Sequence, residues 1–112
     1  MALEAKYASL VDWSIKPGMA GAFESNRKAL FELRKKHLSG RGWVSSRLGR
    51  FLGSPNRYMI LNLHSSVEAF GVGTANDPAA PPEMQEFNRA TPGADFYSVP
   101  NVQERFEVIQ RV

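Results

Sequence analysis

The chain of 112 residues contains no cysteine. A disulfide framework, a zinc–thiolate site and a cysteine nucleophile are therefore excluded. Histidine is scarce too, because His37 and His64 are the only two and lie too far apart in sequence to form a metal-ligand motif. No apolar run approaches the roughly 20 residues of a membrane span, and the N-terminus lacks a secretory signal pattern. We expect one cytoplasmic domain over residues 1–112 that works without a metal or another cofactor.

Net charge is also small, at +3. Basic residues are concentrated in the first half of the chain, at Arg27, Lys28, Arg34, Lys35, Lys36, Arg41, Arg47 and Arg50. A basic face can attract anions or nucleic acid, but on a helix it is usually solvated surface. We therefore expect these side chains to lie in solvent.

Hydrophobic periodicity and turn residues predict the order of elements. The predicted elements are a strand at 7–15, a helix at 19–38, strands at 43–52 and 57–64, a short helix from near Ser66, a helix at 82–90 and a closing strand at 106–112. Ser65 and Glu68 have the spacing of a capping box, which marks the start of the short helix. Residues 95–102 are predicted to be irregular or a short edge segment, because Pro100 argues against a central strand.

This order predicts an α+β fold of the ferredoxin-like βαββαβ type, with an antiparallel sheet and helices on one face. The other face of the sheet would then expose an apolar area too large for a monomer. We expect a second copy of the chain to cover it, since a two-fold contact uses the same patch twice.

The strand at 57–64 is the most informative stretch for function. Asn62 and His64 lie two residues apart and share one face, while Met59, Leu61 and Leu63 lie on the other. A strand with an apolar opposite face is expected to be covered on both sides. Asn62 and His64 are then buried polar groups, which need a partner or a purpose.

The first helix is predicted to turn a stripe that begins with Met19 and Phe23 toward the sheet. Asn26 and His37 fall on the same stripe, so we expect them to approach Asn62 and His64. Trp13, Phe23 and Tyr58 are candidate aromatic walls. Together these residues predict a small pocket that is apolar with a few polar groups and binds a small hydrophobic or aromatic molecule. The alternative for each aromatic residue is core packing, and for each asparagine a structural hydrogen bond.

Several short motifs resemble those of the antibiotic biosynthesis monooxygenase-like family of dimeric alpha/beta barrel proteins. They are Lys16-Pro17-Gly18 before the long helix, the glycine-led second strand, and the hairpin that reaches Arg57-Tyr58 and then Glu68-Ala69-Phe70. The resemblance covers residues 7–112 and implies a dimeric barrel with a pocket between the helices and the sheet of each subunit. It also implies, as one activity of the family, oxidation of aromatic polyketides without metal or flavin. Val11, His64 and Val72 stand where haem-degrading members carry asparagine, tryptophan and histidine, so haem degradation is not expected.

A metal-free oxygenase must remove a proton from a phenol or hydroquinone, so that the electron-rich anion can react with oxygen. Histidine titrates near neutral pH, which makes His64 the candidate catalytic base. Asn62 is the candidate that holds the substrate oxygen, because an amide both donates and accepts hydrogen bonds. The sequence thus predicts a cofactor-independent monooxygenase acting on an aromatic or quinol-type substrate.

Two other functions remain open at this point. One is a dimeric ligand-binding or accessory protein without chemistry, because a fold does not settle function. The other is an RNA-binding module, because RNA-recognition domains share the element order and Arg41-Gly42-Trp43-Val44 resembles the start of their aromatic motif. Ser45 and Ser46 then interrupt the required alternation of aromatic residues, so nucleic acid is not an expected partner.

Overall fold

The structure is a computed structural model that describes residues 5–67 and 80–109. Its strands are β1 (Tyr7–Ile15), β2 (Trp43–Arg50), β3 (Arg57–His64) and β4 (Tyr97–Glu107), and its helices are α1 (Ala20–Leu38) and α2 (Pro82–Ala90). The strands form one antiparallel sheet in the order β2-β3-β1-β4. This is the ferredoxin-like α+β arrangement, so the predicted fold class is confirmed. Among the described residues, no helix is long and apolar enough to cross a membrane.

Glycines on both sides of α1 set its position. Gly18 has a positive φ of 83° in the turn that precedes the helix, which a side chain would strain. At the far end a short 3-10 turn, Ser39–Arg41, leads into Gly42, whose φ is 98°. A Cβ at Gly42 would also overlap the side chain of Ser66. This turn therefore requires glycine, and it delivers the chain directly into β2.

The last strand differs most from its prediction, because β4 spans residues 97–107 rather than 106–112. Pro100 is tolerated inside it for two reasons. β4 lies at the edge of the sheet and pairs with β1 alone, and its register is irregular where it passes Asp12, Ser14 and Ile15. A proline there removes no regular ladder bond. β2 also ends at Arg50, two residues before its predicted end.

The short helix predicted from near Ser66 lies mainly outside the described residues. Ser65, Ser66 and Val67 form a bend after β3. The other helices follow their predictions: α2 begins with proline at its first position, where the missing N–H costs nothing. α2 ends where the Thr91 N–H and hydroxyl both donate to Phe87 O.

Alternate residues of β3 face opposite sides of the sheet. Tyr58, Ile60, Asn62 and His64 are buried toward the helices, while the residues between them are half-buried on the open face. The open face also carries Leu10 on β1 and, on β4, the exposed Val102 and Phe106, which pair in register with Asp12 and Ala8. The helical side therefore holds the candidate site, and the open side carries apolar residues flanked by charged ones such as Arg47 and Glu104.

Candidate functional site

Strand register aligns polar side chains from all four strands in one row beneath the helices. Asn62 on β3 pairs with Ser46 on β2 and with Ser9 on β1, and Ser9 pairs in turn with Arg105 on β4. We call Ser46, Asn62, Ser9 and Arg105 the polar row. His64 lies one inward-facing position further along β3, where Tyr7 and Trp43 are its register partners. The sheet thus turns polar at one end of the face that α1 covers.

Asn62 is the centre of a hydrogen-bond network in this row. Its Nδ2 donates to Ser9 Oγ at 3.0 Å. Its Oδ1 accepts from Ser46 Oγ at 2.6 Å and from Arg34 Nη1 at 2.9 Å. Ser46 Oγ also accepts from Trp43 Nε1 at 2.9 Å. The amide therefore joins three strands to α1 and fixes the position of a guanidinium.

Arg34 extends from α1 into this network and forms no ion pair with any carboxylate of the described residues. Its Nη1 donates to Asn62 and, at 3.2 Å, to Ser46 Oγ. The Phe31 ring lies beside it, with 5.4 Å between the guanidinium carbon and the ring centroid. Burial and the nearby charge of Arg27 lower the pKa of Arg34 to about 9. The charge is thus poorly solvated, because only neutral oxygens compensate it.

His64 lies in the same positive environment. It is 4% exposed, and burial together with the charges of Arg34 and Arg105 lowers its pKa to about 4. The imidazole is therefore neutral near pH 7 and retains a lone pair that can accept a proton. The same positive charges disfavour its protonated form.

The predicted aromatic walls pack mainly against one another. Phe23 is fully buried, with its ring centroid 5.1 Å from Trp13, 5.0 Å from Tyr58 and 5.8 Å from Phe96. We call these four rings the aromatic cluster. A Cβ at Gly93 would lie 2.9 Å from the Trp13 ring, so this close approach depends on glycine. The binding role predicted for Trp13, Phe23 and Tyr58 stays a prediction, and their observed contacts are those of a core.

Asn26 and His37 lie apart from the polar row and contact the region of α2. Asn26 donates to Thr91 Oγ1 at 2.9 Å and accepts from Arg27. His37 Nε2 lies 2.9 Å from Glu83 Oε2. The structure thus does not bring either residue to Asn62 or His64. Their predicted binding roles remain predictions without a shared site.

The expectation that the basic residues of α1 are solvated is wrong for two of them. Arg27 is 5% exposed and lies over the Trp13 and Phe23 rings, at 5.3 and 5.6 Å from the ring centroids. Burial lowers the pKa of Arg27 to about 10. Arg34 is the second basic residue that does not lie free in solvent, because its guanidinium donates to Asn62 and Ser46 of the sheet. Arg34, Ser46 and Ser9 were therefore missed as candidate site residues.

A signal for the arginines was present in the sequence. Arg27 and Arg34 alternate with Phe23, Leu30 and Leu38 at the spacing of one helix face. At about 100° per residue, Arg34 falls only about 20° from Phe23 on the helical wheel, whereas Asn26 falls about 60° away on the other side. Centring the buried stripe midway between Phe23 and Arg27, which is the angular position of Arg34, places both arginines inside.

An open groove of about 390 Å³ reaches the network from the side of α1 and β2. Its walls combine apolar rings with charged side chains at the rim. They are formed by Glu24, Lys28, Phe31, Glu32 and Lys35 of α1 and by Trp43, Ser45, Ser46 and Leu48 of β2. Ser46 belongs to both the groove and the Asn62 network. A small molecule in the groove thus has a direct path to the polar row.

Solved structures share this fold along nearly the whole chain. A "putative antibiotic biosynthesis monooxygenase" from Caulobacter crescentus CB15 matches with a TM-score of 0.74 and 16% identity, over 97% of this chain and 94% of that chain. A protein of the same name from Bordetella bronchiseptica matches with a TM-score of 0.69 and 16% identity, over 96% and 100%. This chain has the fold of the antibiotic biosynthesis monooxygenase-like proteins. The fold predicted from the resemblance is therefore confirmed.

Rv0793 from Mycobacterium tuberculosis also shares the fold, with a TM-score of 0.70 and 12% identity over 96% of this chain and 98% of that chain. No protein-family model and no curated protein matches the sequence. The likeness is therefore one of three-dimensional structure, and function must be argued from the side chains.

Proposed function

We propose that the chain binds a small aromatic molecule beside the polar row and oxidises it with molecular oxygen, without a cofactor. The observation that carries the proposal is the placement of a buried, neutral imidazole, His64, near a half-buried guanidinium without a carboxylate partner among the described residues, Arg34. The first can accept a proton, and the second favours the anion that remains. The names of the structural neighbours agree with this type of reaction.

The proposed reaction can be written for a phenol whose para position carries hydrogen. The phenol and O₂ give a para-quinone and water. The ring loses four electrons, which reduce O₂; one oxygen atom becomes the new carbonyl and the other leaves in water together with the two hydrogens. His64 takes the phenolic proton first and passes it on to the departing oxygen. Asn62 serves as a positioning residue, because it holds Arg34 and ties the strands together.

Turnover of 1-naphthol to 1,4-naphthoquinone tests this reaction. His64→Gln keeps a polar side chain but removes the base, and His37→Gln is the matched control on the surface of α1. We expect a roughly 100-fold lower rate for His64→Gln, at the low end of general-base effects, and an unchanged rate for His37→Gln. Oxygen uptake should equal quinone formation, and added catalase should return no oxygen. Equal rates for the two variants would rule out His64 as the base.

A non-catalytic ligand-binding protein is the second candidate. The depressed pKa of His64 favours it, because a group with a pKa of about 4 is a weak base. Binding of the naphthol without any oxygen uptake above the buffer rate would identify this function.

RNA binding has less support, because the open face of the two central strands lacks aromatic rings. Leu10, Met59, Leu61 and Leu63 line it, whereas RNA-recognition domains stack bases on aromatic residues there. Trp43 packs beside the buried cluster of Leu30, Leu38 and Met84 instead.

We also propose that a second copy of the chain covers this open face, since the apolar surface of the central strands is flanked by the exposed Val102 and Phe106. Light scattering should give the mass of a dimer.

A further inference from the structure

The unused hydrogen-bond donors of Arg34 indicate what the site binds. A guanidinium carries five N–H donors in a planar fork. Arg34 uses Nη1 for its bonds to Asn62 and Ser46, while Nε and Nη2 make no hydrogen bond to the described residues. Neither Nε nor Nη2 of Arg34 is fully buried without a partner. A fork that is anchored on one side and accessible on the other is preorganised for a ligand.

A second positive charge lies near Arg34, because Arg27 is on the same helix. The neutral His64 on β3 lies in the field of Arg34 and Arg105, while β2 contributes the uncharged Ser46 and Trp43. The carboxylates of α1 and α2 that form ion pairs are engaged elsewhere. Glu24 accepts from Tyr58 and lies 3.7 Å from Arg50, and Glu83 pairs with Lys36 and His37. Glu24 and Glu32 line the groove but form no ion pair with Arg34, so the charge of this guanidinium is not paired with a described carboxylate.

We propose that the ligand of this site is an anion, an aromatic molecule whose ionised oxygen accepts hydrogen bonds from Nε and Nη2 of Arg34. Phenolates, enolates of hydroxyquinones and aromatic carboxylates share this chemistry. Planar oxygen anions match the fork of a guanidinium and gain a charge-assisted bond. The ring would extend toward the groove between α1 and β2, where Phe31, Trp43 and Leu48 provide apolar surface.

Anion binding would also change the chemistry of the site. A negative oxygen offsets the charge of Arg34 and so removes part of the field that holds His64 neutral. The same field lowers the pKa of a bound phenol, which makes its proton easier to remove. The inference rests on the proposed function for its location, but it concerns binding alone and holds for a catalytic or a non-catalytic protein.

A pair of oxidised quinones tests the proposal without turnover. 2-Hydroxy-1,4-naphthoquinone is an anion at neutral pH, and its methyl ether, 2-methoxy-1,4-naphthoquinone, has the same ring but cannot ionise. We expect wild type to bind the hydroxyquinone roughly ten- to a hundred-fold more tightly, the range of a charge-assisted hydrogen bond. The colour change on ionisation should show a lowered pKa for the bound hydroxyquinone. Isothermal titration and visible absorbance measure the two effects.

Variants of Arg34 assign the preference to this residue. Arg34→Met should bind both quinones with the same low affinity, and Arg34→Lys should recover part of the preference, because it keeps the charge but loses the fork. Arg89→Met removes an arginine from the exposed surface of α2 and should behave as wild type. The wild-type comparison decides the matter even if Arg34→Met does not fold.

Three results would overturn the proposal. They are equal affinity of wild type for the two quinones, binding of neither quinone, and an undiminished preference in a folded Arg34→Met variant. If wild type prefers the hydroxyquinone but does not oxidise 1-naphthol, only the proposed reaction is contradicted. The two proposals can therefore fail separately.

Discussion

The two halves of β3 face the same helical layer but lie in different environments. Tyr58 and Ile60 enter a region where aromatic and aliphatic side chains fill the space between sheet and helix. Asn62 and His64, only two positions further on, enter a region where an arginine is held by neutral groups. Burial is equally complete in both halves, since all four side chains are at most 6% exposed. Burial alone therefore does not distinguish a core from a site; the balance of charge does.

The aromatic cluster gains stability from its contacts, because apolar surface leaves water and the rings meet in tilted geometries. The Arg34 site beside the polar row incurs a cost, because desolvating a guanidinium near that of Arg27 is unfavourable unless an anion joins them. A fold retains such a cost where binding or chemistry recovers it. The comparison leads to three predictions, ordered by the size of the expected change in stability.

The largest effect should come from Phe23→Ala. Phe23 contacts three other rings and is fully buried, so we expect a loss of about 3–5 kcal/mol in the free energy of unfolding. Phe51→Ala at the hairpin, where the ring is half-buried beside Arg57, is the control and should cost much less. Urea titration measures both. If the folded Phe23 variant instead lost affinity for the hydroxyquinone, the aromatic cluster would be part of the pocket after all.

The next effect is the pH dependence that His64 causes. Its folded-state pKa of about 4 lies below the ordinary value of 6.5, so the unfolded chain takes up a proton at higher pH than the folded protein. Stability is therefore fully present above pH 6.5 and is lost as the pH falls toward 4. The full loss should be about 3 kcal/mol, at 1.36 kcal/mol for each unit of pKa difference.

Urea titrations at pH 7.5 and pH 4.5 measure this loss. His64→Gln should remove that part of the difference between the two pH values, while His37→Gln should keep it. An identical pH dependence for wild type and His64→Gln would mean that the polar row does not hold the imidazole neutral.

The sequence predicts which way the side chains of β3 face, but not which residues contact them. A period of two is enough to put Asn62 and His64 on one face, and turn residues are enough to order the strands and helices. The hydrogen-bond partners of these side chains are not predicted by these patterns. Arg34 lies 28 residues from Asn62 in sequence, and its burial depends on Ser46 and Asn62 meeting it across three elements. Hydropathy alone treats arginine as hydrophilic and therefore predicts Arg34 on the surface.

Asn26 and His37 were assigned to the sheet for a related reason. The predicted stripe of α1 was centred on its apolar members, and this choice turned the helix too far toward the side that meets α2. Including arginine among the residues that can be buried, because its stem is apolar and its head can find oxygen acceptors, shifts the centre of the stripe to the angular position of Arg34, away from Asn26 and His37. The predicted bounds of β4 are wrong because Pro100 was taken to separate a short edge segment from the closing strand, whereas one edge strand runs through it.

The smallest change in stability should accompany Arg34→Met, although the same variant should lose the preference for the anionic ligand. Methionine fills a similar length, and the network does not lose its last donor. Ser46 still donates to Asn62 Oδ1, and Trp43 still donates to Ser46. Removing a poorly compensated charge without leaving an unpaired group is often neutral or stabilising. We expect the free energy of unfolding to change by less than about 1 kcal/mol, or to rise.

Asn62→Leu supplies the contrast that sharpens this last prediction. It removes the acceptor that Arg34 and the Ser46 hydroxyl share, so Arg34 keeps its charge but retains only the longer bond to Ser46, and the Ser46 hydroxyl loses its acceptor. A loss of about 2–3 kcal/mol is expected, because a buried donor is left unsatisfied. If Arg34→Met lowers the free energy of unfolding as much as Asn62→Leu does, the arginine stabilises the fold. Both halves of β3 would then have a structural role, although their side chains differ in chemistry.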